Sequence, residues 1–94
     1  MTKNKVYESV WDAIEPDPVK AENLKLRSSL MLALTRHIKS AGLTQTEAAR
    51  IFGVTQPRIS NLMHGKIDLF GLDILVKMGA IAGMRVTMRI KKAA

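Results

Sequence analysis

The sequence predicts a mainly all-α protein, a bundle of four to five helices with one C-terminal β-strand that pairs across a dimer. Three observations carry this prediction. Apolar residues recur at helical spacing through most of the stretch from 18 to 82. Two Thr-Gln pairs, Thr44-Gln45 and Thr55-Gln56, stand on either side of a short "FGV" and read as two helix starts in quick succession. The stretch "MRVTMRI", residues 84–90, alternates apolar and polar side chains with a period of two. At 94 residues and 47% hydrophobic content, the chain is one folding unit with a modest core.

The first segment, 1–16, is acidic and carries "VYESVWDAI". Val6, Val10 and Ile14 fall at i, i+4 and i+8, and Tyr7 and Trp11 extend their side, so one or two amphipathic turns are expected. Pro16 and Pro18 in "EPDPVK" mark a boundary, because each disfavours helix in the residue before it. The second segment, 17–83, opens with Asp17 as cap and Pro18 in the first helical turn. A helix from about Pro18 to Ser40 follows, with Leu24, Met31, Leu34 and Ile38 as its inner stripe and Leu30 widening it. Gly42 stops it, and Lys39 sits near its negative end.

Thr44 and Glu47 form a T-x-x-E capping box that starts a second helix, with Ala48, Ala49 and Phe52 turned inward and Gly53 at its end. Thr55 caps a third helix, which tolerates Pro57 in its first turn, carries Ile59, Leu62 and Met63 inward, and closes at Gly65. Two short helices about a tight glycine turn make a helix-turn-helix; the bland alternative is an ordinary helical hairpin in a bundle. Small Ala48 and Ala49 let the third helix approach the second, and Val54 seals the turn. A fourth helix is expected from about Asp68 to Ala82, with Leu69, Leu72, Leu75, Val76 and Ile81 as core residues, Gly71 and Gly79 as weak points and Gly83 as stop.

The third segment, 84–94, is the dimerisation strand and tail. Met84, Val86, Met88 and Ile90 are expected to cover the helical core, with Arg85 and Arg89 outward. A lone strand cannot satisfy its own backbone. The expected partner is the same strand of a second copy, antiparallel across a two-fold axis. A hairpin with Lys5 to Tyr7 or a frayed tail are the alternatives.

Charge is unevenly spread. Residues 1–23 carry five acids against three bases, and residues 24–94 twelve bases against three acids, within a total of +7. The basic body suits a polyanion, although it also suits plain solubility. The longest uninterrupted apolar run, Leu30 to Leu34, is far below the ~20 residues of a membrane span, and the N-terminus lacks a signal-peptide core, so a cytoplasmic protein is expected. With no Cys, two His and no Gly-rich phosphate loop, neither an enzyme, a cofactor nor a metal is expected.

If the third helix enters a duplex groove, base readout falls to Gln56, Arg58 and Asn61, with Ser60 and Pro57 beside them. Amides pair bidentately with adenine, and Arg with guanine. The rival roles are a solvated surface for Asn61 and a phosphate contact for Arg58. Phosphate contacts are assigned to Thr44 and Gln45 at the start of the second helix, whose free amides attract anions, and to Thr55, His64 and Lys66 around the third. A two-fold dimer would set two such helices about one DNA turn apart, on an inverted-repeat operator. RNA is a poorer match, because aromatic residues make up only 4% of the chain.

The stretch "TQTEAARIFGVTQPRISNLMHGK" resembles the Xre (Cro/C1-type) helix-turn-helix family, with its lambda-repressor-like bundle. The resemblance implies that Gln56 is the recognition-helix glutamine and Gln45 the phosphate-contacting one. Pro57 departs from the polar residue usual there. The wider layout, from "SVWDAI" through "LFGLDILVKMGAIAGMRVTMRI", is similar to HigA-like antitoxins of toxin–antitoxin modules. That resemblance implies a repressor of its own operon that also neutralises a RelE/HigB-type toxin. The acidic head suits a basic toxin surface: Glu8, Asp12 and Glu15 share a helical face beside Trp11, a residue type common at binding hot spots. Trp11 could instead pack on its own subunit, and the acids could serve solubility alone. The alternatives for the whole chain are a stand-alone regulator of the same family and a protein-interaction adaptor that does not bind DNA.

Overall fold

The first three long helices of the described chain begin where a side chain, twice with a proline in the first turn, relieves unpaired backbone amides. The computed structural model describes residue 11 and residues 13–92. Helix α1 spans Pro18–Ser40, α2 Gln45–Phe52, α3 Gln56–Met63 and α4 Leu72–Ile81, with a short 3-10 turn at Ile67–Leu69 between α3 and α4. Trp11, Ala13 and Ile14 are helical ahead of α1. Asp17 caps α1 by accepting a hydrogen bond from the Val19 amide at 2.9 Å, with Pro18 at the first helical position. At its far end the Leu43 amide reaches back to the Ile38 carbonyl, 3.1 Å away.

The capping box of α2 forms as its sequence predicts. The Glu47 amide donates to Thr44 Oγ1 at 3.1 Å, and the Thr44 amide donates to the Glu47 carboxylate at 2.8 Å. Gly53 ends α2 in the left-handed region, φ 67°, where a side chain is strained. Two residues later Thr55 Oγ1 accepts from the Arg58 amide and α3 begins.

The inner faces of all four helices meet in one cluster. Met31, Leu34 and Ile38 come from α1, Ala48, Ala49 and Phe52 from α2, Ile59 and Leu62 from α3, and Leu75 and Met78 from α4. Long α1 packs along α4, and α2 packs on α3. Ala48 and Ala49 are both buried at the α2–α3 crossing, and Val54 is half-buried in the turn, as their sizes suggested.

The expectation for the fourth helix is corrected. Helix α4 starts at Leu72, not near Asp68, because the chain first makes the 3-10 turn and then an extended Phe70, φ −131°, before Gly71 takes the N-cap position. Phe70 is fully buried in place of the expected Leu69, which is 46% exposed. Val76 and Ile81 are exposed as well, and Met78 takes their place in the core. The strand expected at residues 84–90 depends on a second copy. No strand is formed among the described residues. A strand needs a neighbouring backbone to pair with, and none of the described residues supplies one. The side-chain alternation persists in part. Met84 packs against the core and its amide bonds the Gly79 carbonyl, whereas Val86, Met88 and Ile90 are exposed. Val86 and Met88 line a groove of about 620 Å³ with Leu26, Leu30, Leu72 and Val76 of α1 and α4.

Candidate nucleic-acid interface

The two threonine-capped starts are brought side by side. Gln56, the first residue of α3, donates a hydrogen bond from its side-chain amide to the side-chain carbonyl of Gln45, the first residue of α2. That bond joins the N-termini of two eight-residue helices at one edge of the molecule. Their first-turn amides and the positive ends of both dipoles therefore share one surface, which favours anions.

On α3 the buried residues Ile59 and Leu62 define the inner side. Gln56, Pro57 and His64 are exposed, and Ser60 and Asn61 are half-buried on the side away from the core. Arg58 stands at the flank. Its guanidinium lies over the Phe70 ring, 4.3 Å from the centroid, which orients the group by cation–π attraction. His64 Nδ1 is 2.7 Å from the Ser60 carbonyl. A carbonyl can only accept, so this bond needs the Nδ1–H tautomer. Thr44, Thr55 and Lys66 are exposed, and the hydroxyls of both threonines are engaged in capping. The Glu47 carboxyl is held below the usual carboxylate range, first by the Thr44 amide and then by the Thr44 hydroxyl, with Arg50 adding a smaller pull.

The residues proposed for the N-terminal contact surface are treated differently by the fold. Glu8 and Asp12 lie outside the described residues. Glu15 is half-buried and accepts from the Asp17 amide. The Trp11 indole N–H donates to Ser28 Oγ on α1, so the ring docks on its own subunit.

A protein-family model described as a helix-turn-helix domain matches residues 15–91. The chain belongs to the helix-turn-helix domain family. Among curated proteins, none matches the chain. The match covers α1 to α4 and most of the tail, and within it α2 and α3 about the Gly53 turn have the layout of a helix-turn-helix. Helices so arranged belong to DNA-binding regulators. None of the described helices is long and apolar enough to cross a membrane.

Two residues that hold this helix-turn-helix in shape escaped the sequence reading. Arg27 donates to the Ile67 carbonyl at 3.2 Å and the Phe70 carbonyl at 3.4 Å, which ties the chain after α3 to α1. A signal for it existed: position 27 falls three after Leu24 and four before Met31, inside the apolar stripe, where a base needs a partner. Phe70 gave no such signal, because it lies outside any helical period.

Proposed function

We propose that the protein is a sequence-specific DNA-binding transcriptional repressor that acts as a homodimer on an inverted-repeat operator, and that it serves as the antitoxin of a toxin–antitoxin module. The observation that carries the DNA-binding part is the Gln45–Gln56 bond, which aligns the N-termini of α2 and α3 on one exposed edge. In this reading Gln56, Ser60 and Asn61 meet base edges, Pro57 offers an apolar contact, and Arg58 reaches a guanine from the flank where Phe70 holds it. Thr44, Gln45, Thr55, His64 and Lys66 hold the phosphates. The basic body, nine net positive charges over residues 24–94, supplies attraction that does not depend on sequence.

The dimer reading draws support from the uncovered groove. Leu26, Val76, Val86, Met88 and Ile90 are all more than 40% exposed, an apolar surface that a second copy would bury. Antiparallel pairing across a two-fold axis must set even-numbered residues opposite even-numbered ones, so that both apolar faces turn the same way. A register centred on Thr87 would oppose Arg85 to Arg89 twice, and like charges in direct opposition are unfavourable. A register centred on Val86 opposes Met84 to Met88 and Arg85 to Thr87, and is the one we favour.

The antitoxin part rests on the acidic residues 1–16 set against a basic body and on the resemblance of the whole layout to HigA-like antitoxins. Its partner is a RelE/HigB-type toxin, a basic messenger-RNA-cutting protein that Glu8, Trp11, Asp12 and Glu15 would engage. A chain lacking residues 1–16 should bind the toxin encoded beside it far more weakly than the full chain. Equal affinity would leave a stand-alone regulator. DNA binding itself is tested by titrating an operator fragment at rising salt. Steep loss of affinity is expected, since each neutralised phosphate releases counterions. A flat profile, or no binding, would leave only a protein-interaction role.

A further inference from the structure

Resting on the DNA-binding reading, we propose that Phe70, which lies outside the α2–α3 pair, is a positioning residue for base readout: its ring presets the Arg58 fork for one guanine in each half-site. Both ends of this pair are fixed. The Arg58 backbone is held in the first turn of α3, where its amide donates to the Thr55 carbonyl at 3.1 Å and to Thr55 Oγ1 at 3.3 Å. Phe70 is fully buried, its amide donates to the Ile67 carbonyl at 3.1 Å, and Arg27 of α1 donates to its carbonyl at 3.4 Å. The ring is therefore a fixed platform, and the Arg58 guanidinium lies over it, 4.3 Å from the centroid.

That contact leaves the donors of Arg58 available. Attraction to a ring face draws on the positive charge of the guanidinium. The N–H groups lie in the plane of the group, in the fork that matches guanine O6 and N7. Among the described residues they make no hydrogen bond or ion pair, and Arg58 is only half-buried. A long side chain loses rotamer freedom when it binds, and one already held against a ring loses less. The gain falls only where the fork meets its base, so loss of the ring should blur one position and spare the others. The competing role is a lid, in which Arg58 only shields Phe70 from water. A lid changes stability, and with it affinity for all sequences alike.

Four full-length proteins separate the two roles: the natural chain, Arg58→Ala, Phe70→Leu and Phe70→Met. Each is mixed with a randomised duplex library at a temperature where circular dichroism shows it folded, and the bound DNA is sequenced. The natural chain should enrich one guanine per half-site about tenfold over the other bases. Arg58→Ala should abolish that preference. Phe70→Leu should lower it about threefold or more and leave the other positions as they were. Phe70→Met, which also fills the core without a ring, should do the same, and it decides the question if Phe70→Leu does not fold. An unchanged profile in the folded Phe70 variants, or an equal loss at every position, overturns the positioning role. So does a natural-chain profile without a guanine that Arg58→Ala removes. No enriched sequence with the natural chain overturns the DNA-binding reading, and the role of Phe70 with it.

Discussion

Thr44 and Glu47 close each other's hydrogen bonds, and the consequence is a pH dependence with a definite sign. The carboxyl is held below its usual range by the Thr44 amide, so the folded chain binds its proton more weakly than the unfolded chain. The stability it adds is present above the ordinary Glu value, near pH ~4.3, and is lost as pH falls through the lower folded value. Glu47→Gln should melt below the natural protein at neutral pH, and the gap should close on acidification; a gap constant with pH would contradict the capping account. Arg58 and Lys66 make a second pair of predictions. Arg58→Ala should cost about 1–3 kcal/mol of operator binding and relax one base position, whereas Lys66→Ala should weaken operator and scrambled DNA alike. Gel-shift titrations on both duplexes separate these outcomes. Equal losses on both for Arg58→Ala would reassign it to a phosphate.

Within the elements, backbone conformation decides what two glycines tolerate. Gly53 ends α2 at φ 67°, so Gly53→Ala should destabilise by about 1 kcal/mol although no atom lies within 4 Å of the added methyl. Gly79 lies inside α4 with ordinary helical geometry and has equally open space. There Gly79→Ala should stabilise by about 0.5–1 kcal/mol, because it removes helix-breaking freedom from the unfolded chain. Urea unfolding of the two variants reads both signs. The α2–α3 crossing depends on small residues. Ala48 is fully buried, so Ala48→Leu should force the helices apart, cost about 1–3 kcal/mol, and move Gln45 from Gln56. A matching loss of DNA affinity would tie that packing to the interface.

For the whole molecule, ending the chain after Gly83 removes Met84, Val86, Met88 and Ile90 and should turn the proposed dimer into a monomer by sedimentation; an unchanged dimer would place the interface elsewhere. Most of the bundle was legible in the sequence because its signals are local. A cap sits within three residues of the amides it serves, a glycine stop acts at its own φ, and the inward stripes of α1, α2 and α3 follow from helical period alone. The two Thr-Gln helix starts were legible for the same reason, but their side-by-side placement was not. Long-range packing decided the rest. Whether Phe70 or Leu69 filled the core depended on where the chain after α3 turned, which Arg27 fixes from forty positions away. Where the Trp11 ring goes depended on a Ser28 hydroxyl seventeen positions on, and the flank position of Arg58 on the ring of Phe70. The sequence by itself determined α1 to α3, their caps and the exposed edge of α3. Only the tertiary structure decided which side chains lock that edge in place and left 84–90 without a strand partner among the described residues, because side-chain burial and strand pairing are settled by contacts between residues far apart in the chain.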